Sequence, residues 1–285
     1  MRVVRLGVSV LKGAAQQHPA RLLLDAQGPV LDRRYALADP VTARVLRTIE
    51  NPRLLGLDAA VPDVAPGAPH DPAASLVVDV PGHGRHEVTE EPVGTLRADY
   101  WGRACELTVL GGPAATALTA ALAQHLGRDV LLTRARRRDV VYGEGVTLVT
   151  TSSLVEVERR RSAASGTPCR DLPALMVDAE RWRAAVVVDT PGLPPFVEDG
   201  WHGSRLRVGT DGRAVELQVT AGVARCGVVR GRPRDSRQDD WDPLRLLAPD
   251  RLVSSPTGRE VAFAVGAEVA AVGEVALGDE VTVLP

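Results

Sequence analysis

Cys226 sits in Val-Ala-Arg-Cys-Gly, just after an alternating stretch that reads as a strand, with Arg225 before it and Gly227 after it. A guanidinium favours a thiolate beside it, and glycine leaves room for a bulky group. That environment suits a soft metal ligand or a nucleophile. Upstream lies a turn-rich acidic loop, Pro-Phe-Val-Glu-Asp-Gly-Trp, ending at Trp201 and carrying Glu198 and Asp199. A second step with chemical capacity is Thr150-Thr151-Ser152-Ser153, where a hydroxyl can cap a helix and the first amides of that helix can meet an anion. Arg134, Arg136, Arg137 and Arg138 form a basic loop, which either solvates a surface or steers an anionic substrate or an acidic electron donor. Lys12 is the sole lysine in the chain. His83 and His86 straddle a turn with no third ligand in view, as surface histidines do. No G-x-S-x-G elbow, P-loop, H-E-x-x-H or paired C-x-x-C occurs, and Gly111-Gly112-Pro113 is not a dinucleotide fingerprint.

These residues need a scaffold, and turn-punctuated short strands dominate the pattern. Arg21–Asp25, Val30–Leu37, Leu76–Val80, His86–Thr89, Asp129–Thr133, Val146–Leu148, Arg205–Val208 and Ala214–Thr220 read as strands. Residues 2–11 form a first strand, and residues 62–74 read as a loop. Gly112–Leu126 is the clearest helix, with Leu118, Leu122 and Leu126 on one face and a stop at Gly127. A second helix runs from the Thr150 step to about Arg161, followed by a loop over Ser162–Pro173. The 285 residues suffice for one large or two moderate domains. The expected class is mainly β with a few helices, an α+β chain dividing into residues 1–126 and 127–285. Three scattered cysteines, Cys105, Cys169 and Cys226, point to a reducing compartment, with the cytoplasm as the expected location. A net charge of −2 argues against a nucleic-acid partner. No apolar run approaches the ~20 residues of a membrane span.

The order of these features resembles the MOSC family, named for the C-terminal domain of molybdenum cofactor sulfurase. Its members carry a pattern near R-x-R-P-N-(apolar)-V-D, then P-F-x-E-D-x-W, an I-G strand end and C-x-R-C. This chain has Arg181, Arg183, Val186–Asp189, Phe196, Glu198, Asp199, Trp201, Gly209, Arg225 and Cys226 in that order. The segments around Lys12, Gly28 to Arg33, Thr42-Ala43-Arg44, Asn51-Pro52-Arg53-Leu54 and the closing Gly278-Asp279-Glu280-Val281 are similar to the family's N-terminal and terminal steps. The chain departs from the pattern at Ala184, Ala185 and Val223, and Tyr142–Gly145 lacks the usual acidic or hydroxyl pattern.

The resemblance implies two β-barrel-like domains and a molybdenum cofactor, molybdenum bound to a pterin (molybdopterin). In that reading Cys226 is the metal ligand and, with Asp199, a catalytic residue. Lys12, Arg33, Thr150, Ser153, Arg181, Arg183 and Arg225 hold the cofactor. The implied activity is reduction of N-hydroxylated or N-oxide small molecules, as in the amidoxime-reducing members. No iron–sulfur cysteines are present, so a separate electron-transfer protein is implied. The alternatives are a non-redox sulfur-carrier or cofactor-binding protein and a divergent cofactor-free binding domain.

Overall fold

The structure is a computed structural model that describes residues 1–61, 75–210, 212–255 and 258–284. The loop expected over 62–74 lies outside the described residues. The chain is mainly β with four α-helices among those residues, the expected class. Its largest sheet has eight strands, in the order Arg2–Leu6, Val186–Asp189, Val146–Thr150, Gly258–Ala271, Val215–Arg225, Arg205–Val208 and Val281–Leu284. Leu252–Ser255 adds to Gly258–Ala271. All its pairings are antiparallel except that of Val146–Thr150 with Val186–Asp189. A parallel pair needs a crossover, and the helices Thr151–Ser165 and Leu172–Asp178 supply it.

The expected barrels do not close. The first strand meets the turn before the last one, through the Arg2–Glu280 bridge and a few backbone hydrogen bonds around it, but the two strands form no ladder, which closure needs. The remaining strands form three smaller open sheets. One has Tyr35–Ala38, Leu131–Ala135, Arg103–Leu110 and Pro92–Tyr100; another has Gly273–Ala276, Arg21–Asp25 and Gly28–Pro29; the third has Asp58–Ala60, Leu76–Val80 and Gly84–Val88.

The helix Gly112–Leu126 begins with Pro113 in its first turn and ends at Gly127, whose φ of 73° is the left-handed cap that glycine adopts freely. Its Leu118 and Leu122 are buried against Leu54, Leu76, Val78 and Leu132. The helix after Thr150 runs four residues past Arg161, to Ser165, stopping at Gly166. The expected loop beyond it contains a further helix, Leu172–Asp178, capped by the Asp171 side chain. The strand expected over Val30–Leu37 shortens to Tyr35–Ala38, because Leu31 and Arg33 take left-handed φ values of 74° and 50°. Gly258–Ala271 continues through Gly266, with a register shift against Val215–Arg225 at that point. Beneath the crossover helices, Trp182 and Phe263 pack with ring centroids 4.0 Å apart and anchor a separate apolar cluster.

Candidate functional site

Strand Val215–Arg225 delivers Cys226 to the surface, and a single 3-10 turn, Gly227–Arg230, follows. The thiol is exposed. Arg225 fixes this strand end by donating from Nε to the Phe263 carbonyl and from Nη1 to the Trp182 carbonyl, both at 2.8 Å. Its Nη2 is buried without a partner, and burial brings its pKa down to about 10, opposed by Cys226. Arg225 therefore ties down the backbone that carries the thiol.

Lys12 comes from a turn after the first strand, held where its amide donates to the Tyr35 carbonyl at 2.8 Å. The next residue must be glycine. At Gly13 φ is 90°, and a Cβ would lie 2.9 Å from both Leu54 Cδ1 and Thr48 Oγ1. The Lys12 side chain is 9% exposed, with Nζ 4.8 Å from the centroid of Tyr100. Among the described residues it has no carboxylate partner. Burial pushes its pKa down to about 7, assisted by Arg33 and Arg183 and opposed by Cys226 and Asp32.

Arg33 and Arg183 reach the same place from opposite ends of the sequence. Each has φ of 50°, a left-handed conformation uncommon outside glycine. Arg33 donates its amide to the Ser9 carbonyl at 2.6 Å and pairs with Asp32, whose other oxygen accepts from the Ser9 amide at 3.0 Å. Arg183 follows the 3-10 turn Ala179–Trp182 and donates from Nη2 to Ser9 Oγ at 2.6 Å and to the Ala14 carbonyl at 2.9 Å. Burial and then Arg33 bring its pKa down to about 10, against the pull of Asp32, Glu180 and Cys226. The result is one neighbourhood holding three cations, one carboxylate, the ring of Tyr100 and an exposed thiol. Such an excess of positive charge, partly desolvated, suits an anion.

The other expected cofactor contacts are occupied elsewhere. The Arg181 guanidinium, its side chain 1% exposed, is taken up by the Val229 and Gly231 carbonyls, Asp178 and Asp239. Thr150 and Ser153 are fully buried and donate their hydroxyls to Glu198 Oε2, each at 2.7 Å, while Thr150 Oγ1 also caps the helix by accepting from the Ser153 amide at 3.3 Å. Glu198 has the hidden role in this segment. It is fully buried, its Oε1 has no partner, and burial raises its pKa against the pull of the two hydroxyls. Asp199 faces outward and pairs with Arg251. The basic loop is likewise spent on internal partners: Arg134 on Glu90, Arg136 on Glu106, Arg137 on Asp25 and Arg138 on Glu268.

Of the nine residues expected at a cofactor, Cys226, Lys12, Arg33 and Arg183 come together, with Arg225 supporting them from behind. Tyr100 and Ser9 complete the neighbourhood and had no signal in the sequence, since an aromatic at a strand end and a serine between two valines are common surroundings for a core.

No family model matches the chain, and no curated protein matches it. Among solved structures, the crystal structure of the YuaD protein from Bacillus subtilis is similar to 98% of this chain over 93% of its own, at 12% identity and a TM-score of 0.37, a distance at which the likeness carries no argument.

Proposed function

We propose that the chain binds a molybdenum cofactor and reduces N-hydroxylated or N-oxide small molecules, taking electrons from a separate protein donor. The observation that carries this reading is the exposed Cys226 thiol beside Lys12, Arg33 and Arg183. The donor set fits such a group in two respects. Lys12 is a buried ammonium with no carboxylate of its own, so it lacks the anion that a phosphate would provide. Cys226 is the one soft donor of the neighbourhood, and no cluster of three or more His, Cys, Asp or Glu side chains suited to a metal occurs among the described residues. Cys226 would give one soft thiolate, and Lys12, Arg33 and Arg183 would hold the anionic end.

When bound, the cofactor supplies a two-electron reduction of the N–O bond, consuming two protons and releasing water. The chain's part is to hold the phosphate charge in a partly desolvated cleft, to leave Cys226 open to solvent, and to keep Arg225 clamped so that the thiol stays in place.

Cys226→Ser is expected to abolish reduction of a benzamidoxime-type substrate with an artificial donor while leaving the fold and most bound pterin intact. Cys105→Ser and Cys169→Ser should be nearly silent. Molybdenum content, pterin fluorescence of the denatured protein and melting temperature, measured for all three variants, check this. Unchanged metal and activity in Cys226→Ser would sink the mechanism. A wild-type protein from a molybdenum-replete host that carries no molybdenum would favour a sulfur carrier or a cofactor-free binding domain.

A further inference from the structure

A separate cavity of about 300 Å³ has one polar wall, Arg5, His18, Glu180 and Arg234, and an aliphatic remainder that includes Leu6, Met176, Val177 and Leu277. The volume is at the small end of ligand sites. The polar wall is incomplete. Arg5 is 7% exposed and makes no ion pair among the described residues. Its Nη2 donates to Gln16 Oε1 and meets His18 Nε2, both at 3.2 Å, while Nη1 is buried without an acceptor.

Glu180 acts on Arg5 through its charge but makes no hydrogen bond to it. Oε1 accepts from the Gln16 amide at 2.8 Å, and Oε2 accepts from Arg234 Nε at 3.1 Å. His18 is caught between the two charges. Its Nδ1 lies 3.0 Å from the Leu6 carbonyl, so that nitrogen carries a hydrogen. The same Nε2 then faces a donor, Arg5 Nη2, and an acceptor, Glu180 Oε2, each at 3.2 Å, and one atom cannot satisfy both. A carboxylate set against Arg5 would resolve the conflict. It would accept from the guanidinium in the two-pronged geometry that arginine and carboxylate share, and Nε2, on taking up a proton from solvent, would donate to Glu180 Oε2.

We infer that this cavity binds a small aliphatic monocarboxylate, head on Arg5 and tail against Met176, Val177 and Leu277, independently of the Cys226 site. A buried guanidinium with no hydrogen-bonded carboxylate selects the anionic head, and an aliphatic wall selects against a dianion or a sugar.

The test is calorimetry on the whole chain with hexanoate as the probe, and with hexanol and hexylamine as neutral and cationic counterparts of the same length. Hexanoate is expected to bind at least tenfold more tightly than either. Val177→Trp alters a residue that is 71% exposed at the cavity wall, so it should fold normally and weaken hexanoate at least tenfold. Arg5→Met should abolish binding, with circular dichroism reporting whether the fold survives. The inference is overturned if hexanoate gives no more heat than hexanol, or if Val177→Trp binds it as tightly as the wild type.

Discussion

A lysine buried to 9% exposure, with an aromatic ring beneath Nζ and two guanidinium groups nearby, holds its proton weakly. The consequence for stability has a definite sign. Lys12 titrates near 7 in the folded chain and near the ordinary 10.5 when unfolded. Between those values the unfolded chain carries a proton that the folded chain lacks, so this residue's contribution improves as pH rises. Below about pH 7 its full penalty is present. Lys12→Met is therefore expected to be more stable than wild type by about 2–4 kcal/mol at pH 6, after allowing for the lost ring contact, and to lose that advantage towards pH 10. Urea unfolding at a series of pH values measures it, and a difference independent of pH would contradict the assignment. Inorganic phosphate, if it occupies the site, should shrink the advantage at pH 6 by stabilising the wild type alone.

At the scale of elements, the site depends on three short irregular segments: the Ser9–Gly13 turn, the turn through Leu31 and Arg33, and the 3-10 turn that ends at Arg183. Gly13 is the position with least latitude. A Gly13→Ala variant meets both a positive φ and two close neighbours, Thr48 and Leu54. It should lose about 1–3 kcal/mol in thermal or chemical unfolding, whereas Gly82→Ala, also at positive φ but with open space around it, should lose about 1 kcal/mol. Equal losses at the two sites would show that backbone strain alone is being measured.

The regular elements around these turns were legible from the sequence because their signals are local. Leucines spaced by four mark the Gly112–Leu126 helix, and alternation marks the strand before Cys226. The destinations of Thr150 and Ser153 were not, because the Glu198 that occupies both hydroxyls lies more than forty residues away in sequence, and Arg181 is taken by distant Asp239 as well as by Asp178. A basic or hydroxylic side chain looks the same on the page whether it waits for a ligand or is already engaged. The same blindness applies to barrel closure, which turns on whether two edge strands form a continuous ladder.

For the molecule as a whole, the chain's first strand lies beside residues from its second half, pairing Arg2–Leu6 with Val186–Asp189. Leu131–Ala135 in turn joins Tyr35–Ala38. Two large apolar clusters result, and Leu31 packs against both. Structure so interleaved should not come apart in halves. Unfolding followed by tryptophan fluorescence and by far-ultraviolet circular dichroism is expected to give one coincident transition. Two separated midpoints would mean that the clusters melt independently.

The lone lysine also makes the protein a convenient object for labelling. Lys12 is the single lysine of the sequence, and it lies among the cations that flank the thiol. A reagent that modifies amines near neutral pH therefore has one internal address. The rate at which that address reacts, compared before and after a candidate anion is added, becomes a built-in gauge of whether the site is open or filled, readable by intact mass without any knowledge of what fills it.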